Sequence, residues 1–180
     1  LGRPNYNQGT YKLSQTEPVF DDAHNITMDI NAVRLFEIET SVDEQIKNPA
    51  LAPDTMMLLN ETAVRKLTTA FDLERDELLE RRIINEPEYV AENGRVGFPY
   101  QITGFYEDIN MFSLKEPVTP YFLRVIKQAE AAGRIIISFD TGQTSQLIEK
   151  IKGVHAQLNE SQPFRYSFQS ENIAKLYAQE

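Results

Sequence analysis

The stretch TMMLLNETAVRKL, residues 55–67, leaves the backbone little freedom. Met56 to Leu59 is an apolar run of strand character, and Asn60 follows it with no connecting loop. An asparagine side-chain oxygen accepts from the exposed N–H groups that open a helix. Ala63, Val64 and Leu67 then recur on one helical face. Glu61 in the first turn suits the helix dipole, and Arg65 and Lys66 suit its other end. The junction predicts a buried strand that delivers straight into a capped, amphipathic helix.

Residues 1–18 are polar and read as irregular, with one short strand around Tyr11 to Leu13. Ile26, Met28 and Ile30 alternate with Thr27 and Asp29, the mark of a half-buried strand. Val33 to Ile38 fits a short helix or a second strand. FDLERDELLERRI reads as a second helix capped by Asp72, with Glu77 and Arg81 four apart and able to pair weakly. Glu86 to Pro99 carries Pro, Gly and Asn and reads as loop. Strands are expected at Tyr100 to Tyr106, Tyr121 to Ile126 and Arg134 to Phe139. From Thr144 to Leu158 the apolar residues Leu147, Ile148, Ile151, Val154 and Leu158 keep a period near 3.6, which predicts an amphipathic helix. Phe164, Tyr166 and Phe168 alternate with Arg165 and Ser167 as a strand would. Ser170 is placed to cap a last helix carrying Ile173, Leu176 and Tyr177. The fold class expected is α+β, a mixed sheet packed with amphipathic helices.

Composition narrows the function. With 180 residues the chain buries enough surface to fold without a disulfide or a metal. A net charge of −9 and no basic run oppose binding to nucleic acid or to anionic lipid. The absence of cysteine removes thiol catalysis and thiolate metal sites. No apolar run approaches the ~20 residues that a spanning helix needs.

Candidate chemistry is sparse. Glu107 and Asp108 are adjacent carboxylates, but neighbours on a strand point to opposite faces and cannot share a site as acid and base. An aspartate at a strand end more often binds nearby backbone N–H groups and shapes a turn. His24 follows Asp21 and Asp22, and carboxylate and imidazole are both metal ligands. No third group completes that set, and DDAH reads as a solvated loop. His155 falls at the edge of its helix. There is no G-x-S-x-G elbow, P-loop or G-x-G-x-x-G. Sequons at Asn25, Asn60 and Asn159 are too common to carry weight. The expectation is therefore a chain with no catalytic, cofactor-binding or metal-ligating residues, and with no cofactor: a binding or force-transmitting module, not an enzyme.

Three segments resemble one family. LLNETAVRKL resembles the Asn-Glu-Thr-Ala stretch of the extracytoplasmic domain in MacB-like ABC-transporter permeases, the group that includes FtsX-like proteins. ITGFYEDINMFSLKEPVTP is similar to that family's strand ending, carried here by Asp108, Ile109, Phe112, Ser113, Leu114 and Pro120. PFRYSFQSENIAKLY is similar to its closing strand and helix, carried by Pro163, Phe164, Tyr166, Phe168, Leu176 and Tyr177. The resemblance runs from Met56 to the end of the chain.

The resemblance implies a periplasmic domain, residues 1–180, excised between transmembrane helices 1 and 2 of an inner-membrane permease. It implies a Sabre-like lobe over about 1–118 and the second half of a porter-like lobe over about 119–170. It implies membrane localisation at the periplasmic face, transmembrane transport or efflux, and mechanotransmission without chemistry in this chain. The implied partners are a cytoplasmic ATPase subunit or domain acting through the membrane helices, a periplasmic adaptor and an outer-membrane channel, in a dimeric full-length protein. The competing expectations are a periplasmic or secreted hydrolase with an unrecognised site, and a free-standing ligand-binding module.

Overall fold

The computed structural model describes residues 7–13, 20–110, 117–127, 135–158, 162–171 and 174. The chain divides into two compact units, Arg3–Ala132 and Gly133–Glu180 with Leu1–Gly2.

The first unit is built on β1 (Asn7–Lys12), β2 (Phe20–Asp29), β3 (Thr55–Asn60), β4 (Arg82–Val90), β5 (Val96–Tyr106) and β6 (Tyr121–Ile126). These curl into one mixed sheet in the order β1-β2-β6-β3-β5-β4. The sheet closes where Tyr11 pairs with Asn85 and Lys12 with Ile84. β2 runs parallel to β6, and β3 parallel to β5, while β3 and β6 are antiparallel. The expected mixed α/β fold with a mixed sheet is present, with the sheet curled into a barrel.

β3 shows why its sequence is apolar without a break. Met57 and Leu59 enter a cluster with Tyr11, Ile83, Ile102 and Phe122, whereas Met56 and Leu58 enter a second cluster with Ile30, Val33, Leu123 and Val125. Alternate residues point to opposite faces, and both faces are covered. α1 (Ile30–Leu35) and α2 (Asp43–Lys47) supply the second cover through Ile30, Val33 and Ile46. α3 (Glu61–Phe71) packs into the first cluster through Ala63, Val64 and Leu67, the face read from the sequence. Asn60 caps α3 as expected, its side chain accepting from the N–H of Ala63.

Of the two forms left open for Val33 to Ile38, the short helix is the one present as far as Leu35, because Asp29 accepts from the N–H of Ala32 and starts α1 there. Several other local expectations are corrected. Asp72 does not open a second helix. It ends α3 in the left-handed conformation, φ 52°, with its N–H on the carbonyl of Thr68. The segment that follows winds only a 3-10 turn, Asp76–Glu80, and Ile83 already lies in β4. Glu77 accepts from the N–H of Glu74 at 2.7 Å instead of pairing with Arg81. Glu86 to Pro99 is not a loop: most of it forms the ends of β4 and β5, a hairpin with a register shift between Asn85 and Val90. Glu86 (φ 52°) and Gly97 (φ 57°) take up that bulge.

The second unit contains a 3-10 turn, Thr141–Gln143, and α4 (Thr144–Leu158), as the periodicity predicts. Residues 135–139 and 163–168 carry neither helix nor sheet pairing, so the strands expected there are absent. Phe139 and Phe168 nevertheless approach with ring centroids 6.4 Å apart, and His155 of α4 meets Phe164 at 5.4 Å. Residues 169–171 are helical, which puts Ser170 within helical residues and not before them. Arg134, Ile173, Leu176 and Tyr177 lie outside the described residues.

The membrane expectation is also corrected. Among the described residues no helix is long and apolar enough to cross a membrane. α4 has 15 residues and, at 1.5 Å per residue, reaches about 22 Å against a hydrocarbon core of about 30 Å. The readings as a membrane and transmembrane-transport protein, as an inner-membrane protein with the partners that arrangement implies, and as a domain at the periplasmic face of an integral membrane protein therefore find no spanning helix to rest on.

One glycine fixes how α2's approach meets the sheet. The N–H of Ser41 donates to the carbonyl of Phe105, and the N–H of Phe105 donates back to Ser41 Oγ, both at 2.8 Å. A Cβ at Gly104 would stand 2.7 Å from Ser41 Oγ, 2.8 Å from Val42 Cγ1 and 3.2 Å from Leu58 Cδ2. Gly104→Ala is expected to cost about 1–3 kcal/mol by overpacking, read as a lower midpoint in urea unfolding with the slope unchanged.

Candidate functional site

Of the described residues that the sequence singles out for chemistry, Asp108 reaches the start of α3, where Asn60 caps the helix. β5 ends at Tyr106, so Glu107 and Asp108 lie past the strand. Glu107 is exposed, with its N–H on the carbonyl of Glu39 at 3.4 Å. Asp108 turns toward the helix. Its Oδ1 accepts from the N–H of Thr62 at 2.9 Å, and its Oδ2 accepts from Thr62 Oγ1 at 2.7 Å. Arg65 Nη2 donates to the same Thr62 hydroxyl at 2.7 Å and lies 3.6 Å from Asp108 Oδ2.

Asn60 completes the clasp from below. Its Oδ1 accepts from the N–H of Ala63 at 3.0 Å and of Tyr121 at 2.9 Å, and its Nδ2 donates to the carbonyl of Thr119 at 3.0 Å. It is 1% exposed, the one buried polar residue beside an otherwise apolar core among the described residues. Asn60 and Asp108 between them satisfy two of the orphan N–H groups of the helix start, those of Ala63 and Thr62. Glu61 is held by Arg75 through two bonds of 2.7 and 2.6 Å. The Arg75 guanidinium in turn lies 4.4 Å from the centre of the Phe105 ring. Hydrogen bonding to Arg75 holds the Glu61 carboxyl below its ordinary range, against a smaller opposing effect of burial.

The other candidates stay apart from this cluster. His24 stacks on Tyr121 with centroids 5.2 Å apart, and its Nδ1 stands 3.5 Å from Thr119 Oγ1. Burial lowers its pKa. His24 lies within β2, not in the solvated loop read from DDAH, and the side chains of Asp21 and Asp22 lie outside the described residues. Among the described residues no group of three His, Asp or Glu side chains could hold a metal ion. Asn25 bonds the Tyr11 hydroxyl, while Asn159 lies outside the described residues, as do Phe112, Ser113 and Leu114.

Two arrangements escape sequence reading. Arg75 falls in a charge-rich run, and nothing local marks it as the partner of Glu61 fourteen residues earlier. Arg124 interrupts the run YFLRVI, a usable signal, since an unbroken β6 would have been apolar throughout. Its Nη1 donates to the Tyr100 hydroxyl at 3.1 Å, and its Nε is buried with no partner among the described residues.

Comparisons with protein-family models, with curated proteins and with solved structures return no match.

Chemically, the arrangement is a clasp. Both oxygens of Asp108 accept from groups of one residue, which fixes the carboxylate against the helix start. Asn60→Ala is expected to lower stability by about 2–4 kcal/mol, since it removes a cap and strands buried polar groups. Chemical denaturation measures that loss directly. The Glu61–Arg75 pair sets a pH dependence. Because the folded-state pKa of Glu61 is depressed from 4.5, its contribution is present above that value and fades as pH falls below it. The stability gap between the parent chain and Glu61→Gln should be constant near neutrality and close at acid pH. A gap that widens on acidification contradicts the pairing.

Proposed function

We propose that this chain is a non-catalytic coupling module of the MacB-like permease class, one that passes an ATP-driven displacement arising in another subunit to a partner. The supporting observation is that two of the segments carrying the resemblance, the Asn-Glu-Thr-Ala helix start and the strand ending at Asp108, bind each other across 46 residues. The carboxylate that the resemblance and the chemistry both singled out is committed to the helix start. The same clasp ties the ends of β3, β5 and β6 and the start of α3 into one block. A block joined in that way carries a displacement without deforming, because packed elements transmit strain. The lobe assignment, Sabre-like and porter-like, belongs to this proposal.

The test has two arms. Titration of the purified chain with Mg·ATP in a calorimeter should give no saturable heat, since nucleotide is bound by another subunit. Asp108→Ala should lower the melting temperature while leaving any background turnover of ester, peptide or glycoside substrates unchanged. Saturable nucleotide binding overturns the proposal. So does an Asp108→Ala chain that keeps its melting temperature and loses a hydrolytic activity of the parent, which establishes an enzyme.

A further inference from the structure

We propose that the barrel interior holds a binding site for a small hydroxycarboxylate, its carboxylate on Arg124 and its hydroxyl toward Asn85. The first apolar cluster draws on all six strands, through Tyr11, Ala23, Met57, Ile83, Ile102 and Phe122, so it is the filling of the barrel. Inward positions recur at every second residue of a strand. Arg124 stands two residues beyond Phe122 and Asn85 two beyond Ile83, so both turn inward. β4 and β6 are three places apart in the ring whichever way it is counted, which sets these two polar side chains across the barrel from each other. Each carries a buried atom with no partner among the described residues: Arg124 Nε, a donor, and Asn85 Oδ1, an acceptor. A buried polar atom left in that way is costly, and one on a charged group more so. Arg124 also enters no ion pair with a described residue.

The groups around Arg124 suit an anion. Its Nη1 donates to the Tyr100 hydroxyl at 3.1 Å, and its guanidinium lies 5.6 Å from the centre of the Tyr100 ring. The Tyr11 hydroxyl accepts from Asn25 Nδ2. Among the described residues both phenols accept a bond and neither donates one, so two O–H groups remain for a ligand. Burial raises the pKa of Tyr11, the Asn25 bond opposes the rise, and Glu86 and Tyr100 add to it, so the proton stays on the phenol. Glu86 itself is exposed at the β4 bulge. A guanidinium N–H beside hydroxyl donors matches a carboxylate, and a lone acceptor across from it matches a hydroxyl. Asn25, Asn85, Tyr100 and Arg124 each keep part of their surface exposed, so the site opens to solvent. The mouths of barrels are a common place for small-molecule sites. The interior of a six-stranded barrel is narrow, which limits the ligand to a few atoms. This site does not depend on the coupling role proposed above.

The Arg124 Nε–H group is its own reporter in heteronuclear NMR, its signal assigned by its loss in Arg124→Lys. Sodium glycolate, sodium acetate or sodium phosphate is added to the whole chain at constant ionic strength. Glycolate should move the signal along a saturating curve with a Kd of about 1–20 mM. Acetate, which lacks the hydroxyl, should bind at least about threefold more weakly, and Asn85→Ala should remove that preference. Arg124→Met should weaken glycolate at least about tenfold, followed through the amide signals of β6. Tyr100→Phe keeps the ring and loses one hydroxyl, and should weaken glycolate about three- to tenfold even if Arg124→Met fails a circular-dichroism check of folding. A signal that does not saturate with glycolate overturns the proposal. So does phosphate binding more tightly than glycolate, or an affinity for glycolate that Tyr100→Phe and Arg124→Met leave unchanged. Equal binding of acetate and glycolate, or a preference that survives Asn85→Ala, overturns the assignment of the hydroxyl.

Discussion

The Asn60 side chain sits where a strand becomes a helix with no residue between them, and the geometry there has few solutions. Three main-chain groups end beside it: the N–H of Ala63, the N–H of Tyr121 and the carbonyl of Thr119. Each would cost about 1–3 kcal/mol if left unpaired. A carboxamide offers one oxygen with two lone pairs and an NH₂ donor, and it meets all three at once. Aspartate lacks the donor and would bring a buried charge, while serine offers one short hydroxyl. The residue thus joins three elements: it starts α3, ends β3 and fixes the first residue of β6.

Everything central to the first unit hangs from that join. β3 and β6 lie side by side with apolar residues on both faces, so their positions set both clusters at once. α3 packs into the first cluster through Ala63, Val64 and Leu67, and the Asn60 cap stands where it leaves β3. Asp108 then ties the end of β5 to the same helix start, and Arg75 ties the chain beyond α3 back to Glu61 while covering Phe105. The partly exposed ion pairs add little by themselves, since solvent screens them. Their effect is geometric: they hold the turn after α3 over the end of β5.

What was legible in the sequence was local. Asn60, the face of Ala63, Val64 and Leu67, and the period of α4 all depend on residues within a few positions of one another. The hairpin of β4 and β5 was hidden because Pro87, Pro99, Gly94 and Gly97 punctuate it like a loop. The structure uses Gly97 at the bulge and seats Pro99 opposite Ile84 within the ladder. The run after Asp72 shows the converse. Its spacing and its Glu and Arg content favour a helix, but Leu78 and Ile83 are needed in the barrel core, and a helix continued through Ile83 would remove that residue from β4. Tertiary burial overrides propensity there. In residues 135–139 the strand signal is strong, no partner strand is present among the described residues, and a strand needs one to satisfy its backbone.

The candidate site was half legible for a related reason. A carboxylate that works as a general base and one that caps a helix both sit at the end of an element, near N–H donors and out of bulk water. Sequence shows the carboxylate but not its donors. For Asp108 the donors lie 46 residues earlier, in the residue next to Glu61, and they are a main-chain N–H and a hydroxyl of one threonine. An N–H fixed at the first turn of a helix is a permanent donor with no proton to exchange in a reaction. A general base needs a lone pair turned toward substrate, within hydrogen-bond reach of the proton it takes. Asp108 turns both oxygens toward the helix it holds, and its adjacency to Glu107 reflects where β5 stops.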